Sequence, residues 1–407
     1  MSGDRGIDPL PGLSSWCEIE VTAVRANLAL LRRRLAPGTR LGIVVKSNAY
    51  GHGMALCARE FLAAGADWLI VNSASEAACL REAEVRSPLY ICARVPAWEA
   101  ASAAQSGARV VLCSGEDARM LARAGREAGQ SVRVHIKLET GTHRQGVSVA
   151  EGLELARLVG QLEGISLEGL TTHYADIEDT TDHAFARRQL ELLEEGRTAF
   201  AENGIDLPMV HSANSAATLL WPATHGALVR VGIAAYGLWP SRETYATALQ
   251  IGIGAGDRWL PELVPVLSWR ARIGQIKEVA AGAYVGYGRT FRATYPMRIG
   301  ILPVGYFEGY DRRLSNVAHV LVNGVRAPVR GRVCMNMAMV DLTHIPEVEV
   351  GSAVTLLGRE GEEEVSADQW AAWMGGINYE VVARLHADLP RLLRREDGSL
   401  VDGEERG

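Results

Sequence analysis

The sequence predicts an α/β fold in which an N-terminal (β/α)8 barrel of the TIM type precedes a C-terminal, mostly β domain. Up to about residue 237, eight short apolar segments alternate with alanine- and leucine-rich helical segments, which is the count and size of such a barrel. From about residue 263, alternating strands follow one another without long helices. We therefore predict a barrel over residues 16–255, a β domain over 256–393 and a flexible tail over 394–407.

The order of elements in the first half supports the barrel. After an amphipathic helix near 21–35, the predicted strands are 41–46, 67–73, 88–94, 108–114, 132–139, 166–174, 209–214 and 228–237. The predicted helices between them include 54–64, 75–84, 115–128, 149–162 and 183–203. An open doubly wound sheet is the structural alternative. Against it, no G-x-G-x-x-G follows the first strand, and polar residues recur at the carboxyl ends of the strands, where barrels carry their active sites.

The second half has the pattern of a β domain. Its predicted strands are 267–273, 297–304, 319–322, 327–333 and 337–342. The pair Asn323-Gly324, between V-L-V and V-R-A-P-V, predicts a type I′ hairpin turn. A helix is predicted near 367–373, and the charged segment at the end predicts a frayed tail.

Composition favours a cytoplasmic enzyme. A chain of 407 residues that is 48% hydrophobic and 22% charged can bury a large core. A net charge of -6 gives no electrostatic footprint for nucleic acid or acidic membranes. No apolar run approaches 18 residues, and the first residues lack the apolar segment of a signal peptide. The six cysteines are scattered without C-x-x-C spacing, so we expect reduced core cysteines and no metal site.

The stretch L-G-I-V-V-K-S-N-A-Y-G-H-G, residues 41–53, contains the first candidate for catalysis. Lys46 ends a strand that is apolar on both faces, and Asn48, Gly51 and Gly53 indicate a turn before the next helix. An amine at the end of a buried strand can lose its proton by desolvation, which is what Schiff-base formation requires. The alternative is a lysine whose amine reaches solvent from a strand end.

Seven stretches, taken in order, resemble the signature stretches of bacterial alanine racemases, which are pyridoxal 5′-phosphate (PLP) enzymes with an N-terminal barrel and a C-terminal β domain. The stretches are V-V-K-S-N-A-Y-G-H-G (44–53), H-I-K-L-E-T-G-T-H-R-Q-G (135–146), H-S-A-N-S-A-A (211–217), V-R-V-G-I-A-A-Y-G (229–237), V-G-Y-G-R-T-F (285–291), P-V-G-Y (303–306) and G-R-V-C-M-N (331–336). The resemblance covers roughly residues 16 to 393. It implies PLP as cofactor and racemisation of a small amino acid, in the first place L-alanine to D-alanine.

The resemblance assigns the two catalytic bases to Lys46 and Tyr287. Lys46 would hold PLP through an imine and exchange the α-proton on one face, while Tyr287 would act on the opposite face. Inversion of an α-carbon requires a proton to leave one side of a planar carbanion and another to arrive on the other side, so two opposed groups are the simpler arrangement. His173 matches the histidine that contacts this tyrosine and the cofactor ring.

The resemblance also implies how PLP is bound. Arg230 matches the arginine that faces the pyridine nitrogen, and because a guanidinium donates but does not accept protons, that nitrogen would stay unprotonated. The phosphate would be held by neutral donors from several loops. These are the hydroxyls of Tyr50, Tyr379 and Ser215, the backbone N–H groups of Gly232 and Ile233, and the neighbouring Asn214.

Two further pairs of residues are implied around the substrate. Lys137 matches a lysine that is often carbamylated and positions Arg144, which contacts the ring hydroxyl. A carbamate would be anionic and could hold Arg144, whereas a cationic lysine would repel it. Here the turn reads T-H-R where many relatives have glycine and methionine before the arginine, so its shape is expected to differ.

Met335 and Tyr306 match residues at the substrate entrance of the family. The backbone N–H of Met335 would bind the substrate carboxylate, and Tyr306 would control access to the site. Asn336 replaces the aspartate common in the family. Loss of that negative charge could relax the selection for a substrate with a small side chain, so serine or a broader range of amino acids are alternative substrates. The other possibility is that an amide and a carboxylate serve equally well at this position.

In the family the tyrosine base and the entrance residues reach the lysine of the other subunit, so the resemblance implies a head-to-tail homodimer with shared active sites.

Two other functions remain as alternatives. A barrel-plus-β decarboxylase of basic amino acids would share the cofactor but carry a glutamate in place of Arg230. A non-catalytic PLP carrier would be a single barrel, and the motifs within 285–336 argue against it.

Overall fold

A computed structural model of the protein describes residues 12–254 and 262–402, and within these residues the chain forms two units. The barrel unit comprises residues 23–49, 54–254 and 262–264, and the β-rich unit comprises 12–22, 50–53 and 265–402. The predicted domain boundary between residues 255 and 256 lies outside the described residues. None of the helices in the described ranges is long and apolar enough to cross a bilayer.

The barrel unit is built around eight parallel strands, as predicted. The first strand of the chain, β1 (Ser15–Glu20), belongs to the other unit. The barrel strands are β2 (Arg40–Val44), β3 (Trp68–Val71), β4 (Leu89–Ile91), β5 (Arg109–Leu112), β6 (Val132–Lys137), β7 (Ile165–Thr171), β8 (Met209–His211) and β9 (Leu228–Val231). Consecutive strands from β2 to β8 pair in parallel, and β9 pairs with β2. The N–H groups of Ala227 and Arg230 donate to the carbonyls of Val210 and Ala213, which joins β8 to β9 and nearly closes the ring.

Helices lie between the barrel strands, and serine caps begin several of them. The helices are α1 (Val21–Arg34), α2 (Lys46–Tyr50), α3 (Met54–Ala63), α4 (Ala74–Glu82), α5 (Ala100–Ser106), α6 (Gly115–Glu127), α7 (Val149–Gln161), α8 (Ala184–Glu202), α9 (Ser215–Leu220) and α10 (Arg242–Gly254). At α7, Ser148 and Glu151 form a reciprocal capping box, which satisfies two N–H groups that the helix itself leaves unbonded.

The short element α2 is left-handed. Ser47, Asn48, Ala49 and Tyr50 have φ between 53° and 55°, a conformation that costs about 1–2 kcal/mol per residue for L-amino acids. Asn48 tolerates it best, and its Oδ1 accepts a hydrogen bond from the N–H of Met54 at 2.8 Å. The turn directly after Lys46 is therefore an unusual backbone that the surrounding structure must stabilise.

The β-rich unit contains one large sheet and two small ones. Its strands after β1 are β10 (Leu267–Arg272), β11 (Gln275–Val279), β12 (Tyr284–Val285), β13 (Phe291–Arg292), β14 (Met297–Leu302), β15 (His319–Val322), β16 (Val325–Pro328), β17 (Ala338–Asp341), β18 (Ala353–Glu360), β19 (Glu363–Val365), β20 (Arg391–Arg394) and β21 (Leu400–Asp402). Its helices are α11 (Ala367–Met374) and α12 (Asn378–Ala383). The large sheet has the order β16-β15-β18-β10-β1-β20-β21, with β19 on β18, and β11-β14-β17 and β12-β13 form the other two.

Local turn chemistry was predictable in this unit, but long-range pairing was not. Asn323 and Gly324 have φ of 52° and 73° between the antiparallel strands β15 and β16, which confirms the predicted hairpin. The predicted barrel start at residue 16 differs from the structure, because β1 pairs with β10 and β20 and buries Cys17 and Ile19 completely. The predicted tail also differs at β21, which pairs with β20, while residues 403–407 lie outside the described residues.

Candidate active site

Five of the predicted residues meet at the carboxyl rim of the barrel. Lys46 follows β2, Lys137 ends β6, His173 follows β7, Arg230 lies in β9 and Arg144 belongs to the loop after β6. Burial lowers the pKa of His173 well below its usual range, and the positive charges of the other four side chains lower it further. His173 is therefore neutral near pH 7, and four basic side chains lie close enough to act on it.

Arg230 is fixed by hydrogen bonds from both terminal nitrogens of its guanidinium. The residue is 8% exposed. Nη2 donates to the carbonyls of Thr172 and Ser212 at 2.9 and 3.1 Å, and Nη1 donates to the hydroxyl of Thr171 at 3.2 Å and to Nδ1 of His211. Nε makes no hydrogen bond to any residue that the structure describes, so it can donate to a ligand.

A chain of buried side chains, here called the histidine relay, runs from Arg230 through His211 and His135 to Glu168 and Arg109. Because a guanidinium only donates, Nδ1 of His211 accepts, so its proton lies on Nε2. His211 Nε2 then donates to His135 Nδ1 at 2.7 Å, and His135 Nε2 donates to Glu168 at 3.0 Å. Nε of Arg109 completes the relay at 2.9 Å from Glu168. Both imidazoles are thus neutral and hold fixed tautomers.

The charge states along the histidine relay agree with this assignment. Burial lowers the pKa of His211 well below its usual range and also lowers the pKa of His135. Burial alone would raise the pKa of Glu168, but hydrogen bonds from His135 and Arg109 hold it at about 2. His135, His211, Glu168 and Arg109 were not predicted as site residues from the sequence. One signal existed, because His135 and Lys137 are two residues apart on β6 and so share the inward face.

The buried neutral histidines predict a marked loss of stability in mild acid. For His135, His173 and His211 the folded-state pKa is depressed, so their contribution is complete above about pH 6.5 and is lost as the pH falls towards the folded values. If the unfolded chain binds three protons that the folded protein does not bind, the free energy of unfolding changes by up to about 4 kcal/mol per pH unit near pH 5. Urea unfolding at pH 7.5, 6.5 and 5.5 measures it. His211→Asn should remove about a third of the slope, and a stability that does not change over this range would contradict the assignment.

Lys137 is buried at 6% exposure without an acidic partner. Burial lowers its pKa, and the charges of Arg144 and Arg230 lower it further. Within residues 12–254 and 262–402, no carboxylate forms an ion pair with it. Arg144 itself is exposed to solvent, whereas Lys137 is buried. The charge of Arg144 nevertheless lies close enough to lower the pKa of Lys137. An ordinary ammonium group is unfavourable in this position.

The loop that carries Arg144 is held by its own first residues. Oε1 of Glu139 accepts from the N–H groups of Gly141 and Thr142 at 2.6 and 2.7 Å, and the Thr142 hydroxyl donates to the carbonyl of His173 at 2.8 Å. His143 has φ of 50°. The T-H-R turn therefore places a non-glycine residue in the left-handed region just before Arg144.

The barrel unit also brings together the predicted phosphate-binding residues. Asn214 caps α9, accepting from the N–H of Ala217 at 3.0 Å, and its amide donates to Glu178 at 2.8 Å. The hydroxyl oxygen of Ser215 accepts from the N–H of Gly232 at 2.9 Å, and Ile233 follows fully buried. The start of α9 and the segment after β9 are thus joined by bonds to the Ser215 hydroxyl oxygen, and the proton of that hydroxyl remains to be donated.

The predicted aromatic residues lie in the β-rich unit. The rings of Tyr50 and Tyr379 are 6.1 Å apart, so the structure brings this predicted pair together. Tyr287 is 72% exposed on the turn between β12 and β13. Its neighbours Gly286 and Gly288 have φ of 73° and 70°, which explains why glycine flanks the tyrosine on both sides.

The predicted entrance residues form a second group in the same unit. Tyr306 donates its N–H to the carbonyl of Cys334 at 3.0 Å, beside the exposed Met335. The amide of Asn336 donates to Oε1 of Glu308 at 2.6 Å. Glu308 was also not predicted from the sequence, because only the proximity of the two segments in the fold reveals it.

A barrel whose carboxyl rim gathers basic side chains around a neutral histidine has the arrangement of a barrel enzyme with its active site at that rim. Family models for the alanine racemase N-terminal and C-terminal domains match residues 19–240 and 266–393. The chain belongs to the alanine racemase family, a family of isomerases, and the resemblance seen in the sequence is confirmed.

Individual relatives agree over nearly their whole length. The alanine racemase of Leptospira interrogans is 38% identical, over 93% of this chain and 96% of that protein. The alanine racemase of Syntrophobacter fumaroxidans is 40% identical, over 90% and 94%. Among solved structures, alanine racemase from Clostridium difficile 630 superimposes with a TM-score of 0.87 at 28% identity, covering 97% of this chain and 98% of that one. The solved fold supports the barrel and the β domain predicted from the sequence.

Proposed function

We propose that this protein interconverts L- and D-alanine with PLP as cofactor, using Lys46 and Tyr287 as the two bases. The observation that carries the proposal is the convergence of three basic side chains, those of Lys46, Arg144 and Arg230, on the neutral His173 at the barrel rim. Such a rim attracts a phosphate-bearing cofactor and a substrate carboxylate, both of which are anions.

The donors of the barrel unit fit PLP. Nε of Arg230 can donate to an unprotonated pyridine nitrogen. The oxygen of Ser215 accepts from the N–H groups of Gly232 and Ala234, which leaves the hydroxyl proton of Ser215 to donate to a phosphate. Lys46, half-buried behind β2, supplies the amine that holds the cofactor. When bound, PLP supplies an electron sink for the α-carbon.

The histidine relay supports the proposed role of Arg230. His211 accepts from Nη1, and the backbone carbonyls of Thr172 and Ser212 accept from Nη2, so the guanidinium plane is fixed. Since no atom of the guanidinium can accept a proton, a ring nitrogen facing Nε stays unprotonated. A weaker electron sink of this kind favours return of the α-proton over side reactions such as transamination, and a decarboxylase would carry an acid here instead.

We propose that Lys137 is carbamylated and positions Arg144. Lys137 is buried near two arginines and pairs with no carboxylate among the described residues, which is unfavourable for an ammonium group but favourable for an anion. Enzyme prepared in ¹³C-bicarbonate should show one carbamate carbon signal by NMR, and Lys137→Gln should lack it. A Lys277→Gln protein serves as control because Lys277 lies in β11 of the other unit. An unchanged spectrum in Lys137→Gln would contradict the proposal.

We also propose a head-to-tail homodimer with shared sites, in which Tyr287 of the partner subunit acts opposite Lys46. Large contiguous apolar patches are rare on monomeric proteins and often mark a surface that another molecule covers. The β-rich unit exposes several, namely Tyr284, Tyr287, Tyr306, Phe307, Met335, Met337 and Ile377.

The proposed reaction is tested by incubating purified protein and PLP with single L-amino acids and separating the enantiomers. We expect D-alanine to accumulate to equimolar amounts with L-alanine, because the two enantiomers have equal free energy. Serine and larger amino acids, tested in parallel, define the substrate range. Carbon dioxide release from basic amino acids would favour a decarboxylase, and absence of any conversion would favour a carrier.

A further inference from the structure

The turn that carries Met335 is bonded directly to the segment that carries Tyr306. The N–H groups of Tyr306 and Phe307 donate to the carbonyls of Cys334 and Met335 at 3.0 and 2.9 Å. The turn is closed by a bond from the N–H of Cys334 to the carbonyl of Met337 at 2.8 Å. The two entrance segments thus share one local structure.

Glu308 connects the same two segments through its carboxylate. Oε2 accepts from the N–H of Gly305 at 2.8 Å, and Oε1 accepts from the amide of Asn336 at 2.6 Å. The backbones approach so closely that a Cβ on Gly305 would overlap the carbonyls of Cys334 and Met335. The backbone carbonyl of Glu308 accepts a hydrogen bond from the N–H of His386 at 3.1 Å, which fixes the backbone of Glu308. Asn336 therefore has one defined partner, and that partner is an acid.

This contact changes the expectation for Asn336. The sequence predicted that an amide in place of an acid would remove negative charge from the entrance. The structure places the carboxylate of Glu308 at hydrogen-bond distance from that amide, so a negative charge lies within the entrance group. An aspartate at position 336 would instead set two carboxylates against each other, which is strongly unfavourable. At these two positions an acid and an amide form a matched donor and acceptor pair.

We propose that Glu308 is a positioning residue for substrate selection, acting through Asn336 on the turn that presents the backbone N–H of Met335. The proposal rests on the proposed function, in which that N–H binds the substrate carboxylate. Bonds to substrate that are equally strong in ground and transition states affect KM rather than kcat. Loosening the turn should therefore raise KM and change the preference between alanine and serine, while kcat changes little.

An exchange of the two side chains tests the proposal. Asn336→Asp should raise KM for alanine about tenfold, since it converts a hydrogen bond into a repulsive pair. In the double variant Glu308→Gln with Asn336→Asp, the glutamine can accept from Gly305 and donate to the new aspartate. We expect this variant to restore KM to within about threefold of the wild-type value. Glu363→Gln, which removes a surface acid paired with Arg326, is the control and should change neither KM nor selectivity.

The melting temperatures of the same variants separate this proposal from the proposed function. Asn336→Asp should lower Tm, and the double variant should recover it, whether or not the protein racemises alanine. If wild-type protein is inactive but the Tm values show this recovery, the proposed function fails and the contact stands. If the double variant recovers neither Tm nor KM, or if Glu308→Ala leaves KM and the alanine-to-serine preference unchanged, the proposal is overturned.

Discussion

Replacement of Lys46 by alanine is expected to lower kcat/KM for alanine racemisation by at least about 10³-fold, because both the cofactor-holding amine and one base are lost. The chain has few possible substitutes. Its three lysines are Lys46, Lys137 and Lys277. Lys137 is buried among arginines, and Lys277 lies in the β-rich unit.

Two measurements test this prediction: the rate of D-alanine formation, and the position at which borohydride reduction attaches PLP to the protein. Borohydride treatment of the PLP-loaded wild type should attach the cofactor to the peptide that contains Lys46, and the Lys46→Ala protein should remain unlabelled. Lys277→Ala is the control and should keep full activity. Substantial racemisation by Lys46→Ala, or a label on Lys137, would refute the assignment. Circular dichroism of each variant verifies that the fold is retained.

Replacement of Tyr287 by phenylalanine is expected to stop racemisation while proton exchange continues from one enantiomer. Without the hydroxyl, one face of the α-carbon loses its acid and base, which costs about 10³-fold or more in racemisation. Lys46 still serves the other face. In D₂O, one enantiomer should therefore incorporate deuterium at the α-carbon without inverting, and the other should remain protonated.

Tyr284→Phe provides a matched control, because Tyr284 is also an exposed tyrosine near the same turn. Mixing the Lys46→Ala and Tyr287→Phe proteins under conditions that exchange subunits tests the shared site. Half of the dimers would be mixed and each would have one intact site, so about a quarter of wild-type activity should return. If two folded variants fail to complement, or if Tyr287→Phe loses exchange from both enantiomers, the two-base arrangement in a shared site is incorrect.

The sequence predicted the barrel because each of its strands is a continuous apolar run, and such runs are typical of parallel strands buried on both faces. It could not predict the pairing of β1, since Trp16 and Arg270 are adjacent in the sheet but more than 250 residues apart in the chain. The hairpin at Asn323-Gly324 was predictable because its turn chemistry is local.

In the candidate site too, residues identified by a short motif could be predicted from the sequence, whereas contacts between distant segments could not. Lys46, Lys137 and Arg230 were found because strand ends and motifs identify them without knowledge of their partners. The histidine relay depends on the alignment of five strands, β5 to β9, which no short stretch specifies. The bond between Glu308 and Asn336 joins residues 28 positions apart, so the sequence could not show that an acid lies beside this amide.

The position of β1 limits how this gene can recombine. β1 lies in the middle of the large sheet, between β10 and β20, although the barrel unit separates it from both in the chain. A crossover between the coding regions of the two units would combine a central strand from one parent with flanking strands from another. Inheritance of the β-rich unit as an intact module therefore requires exchange points on each side of the barrel unit and on each side of residues 50–53.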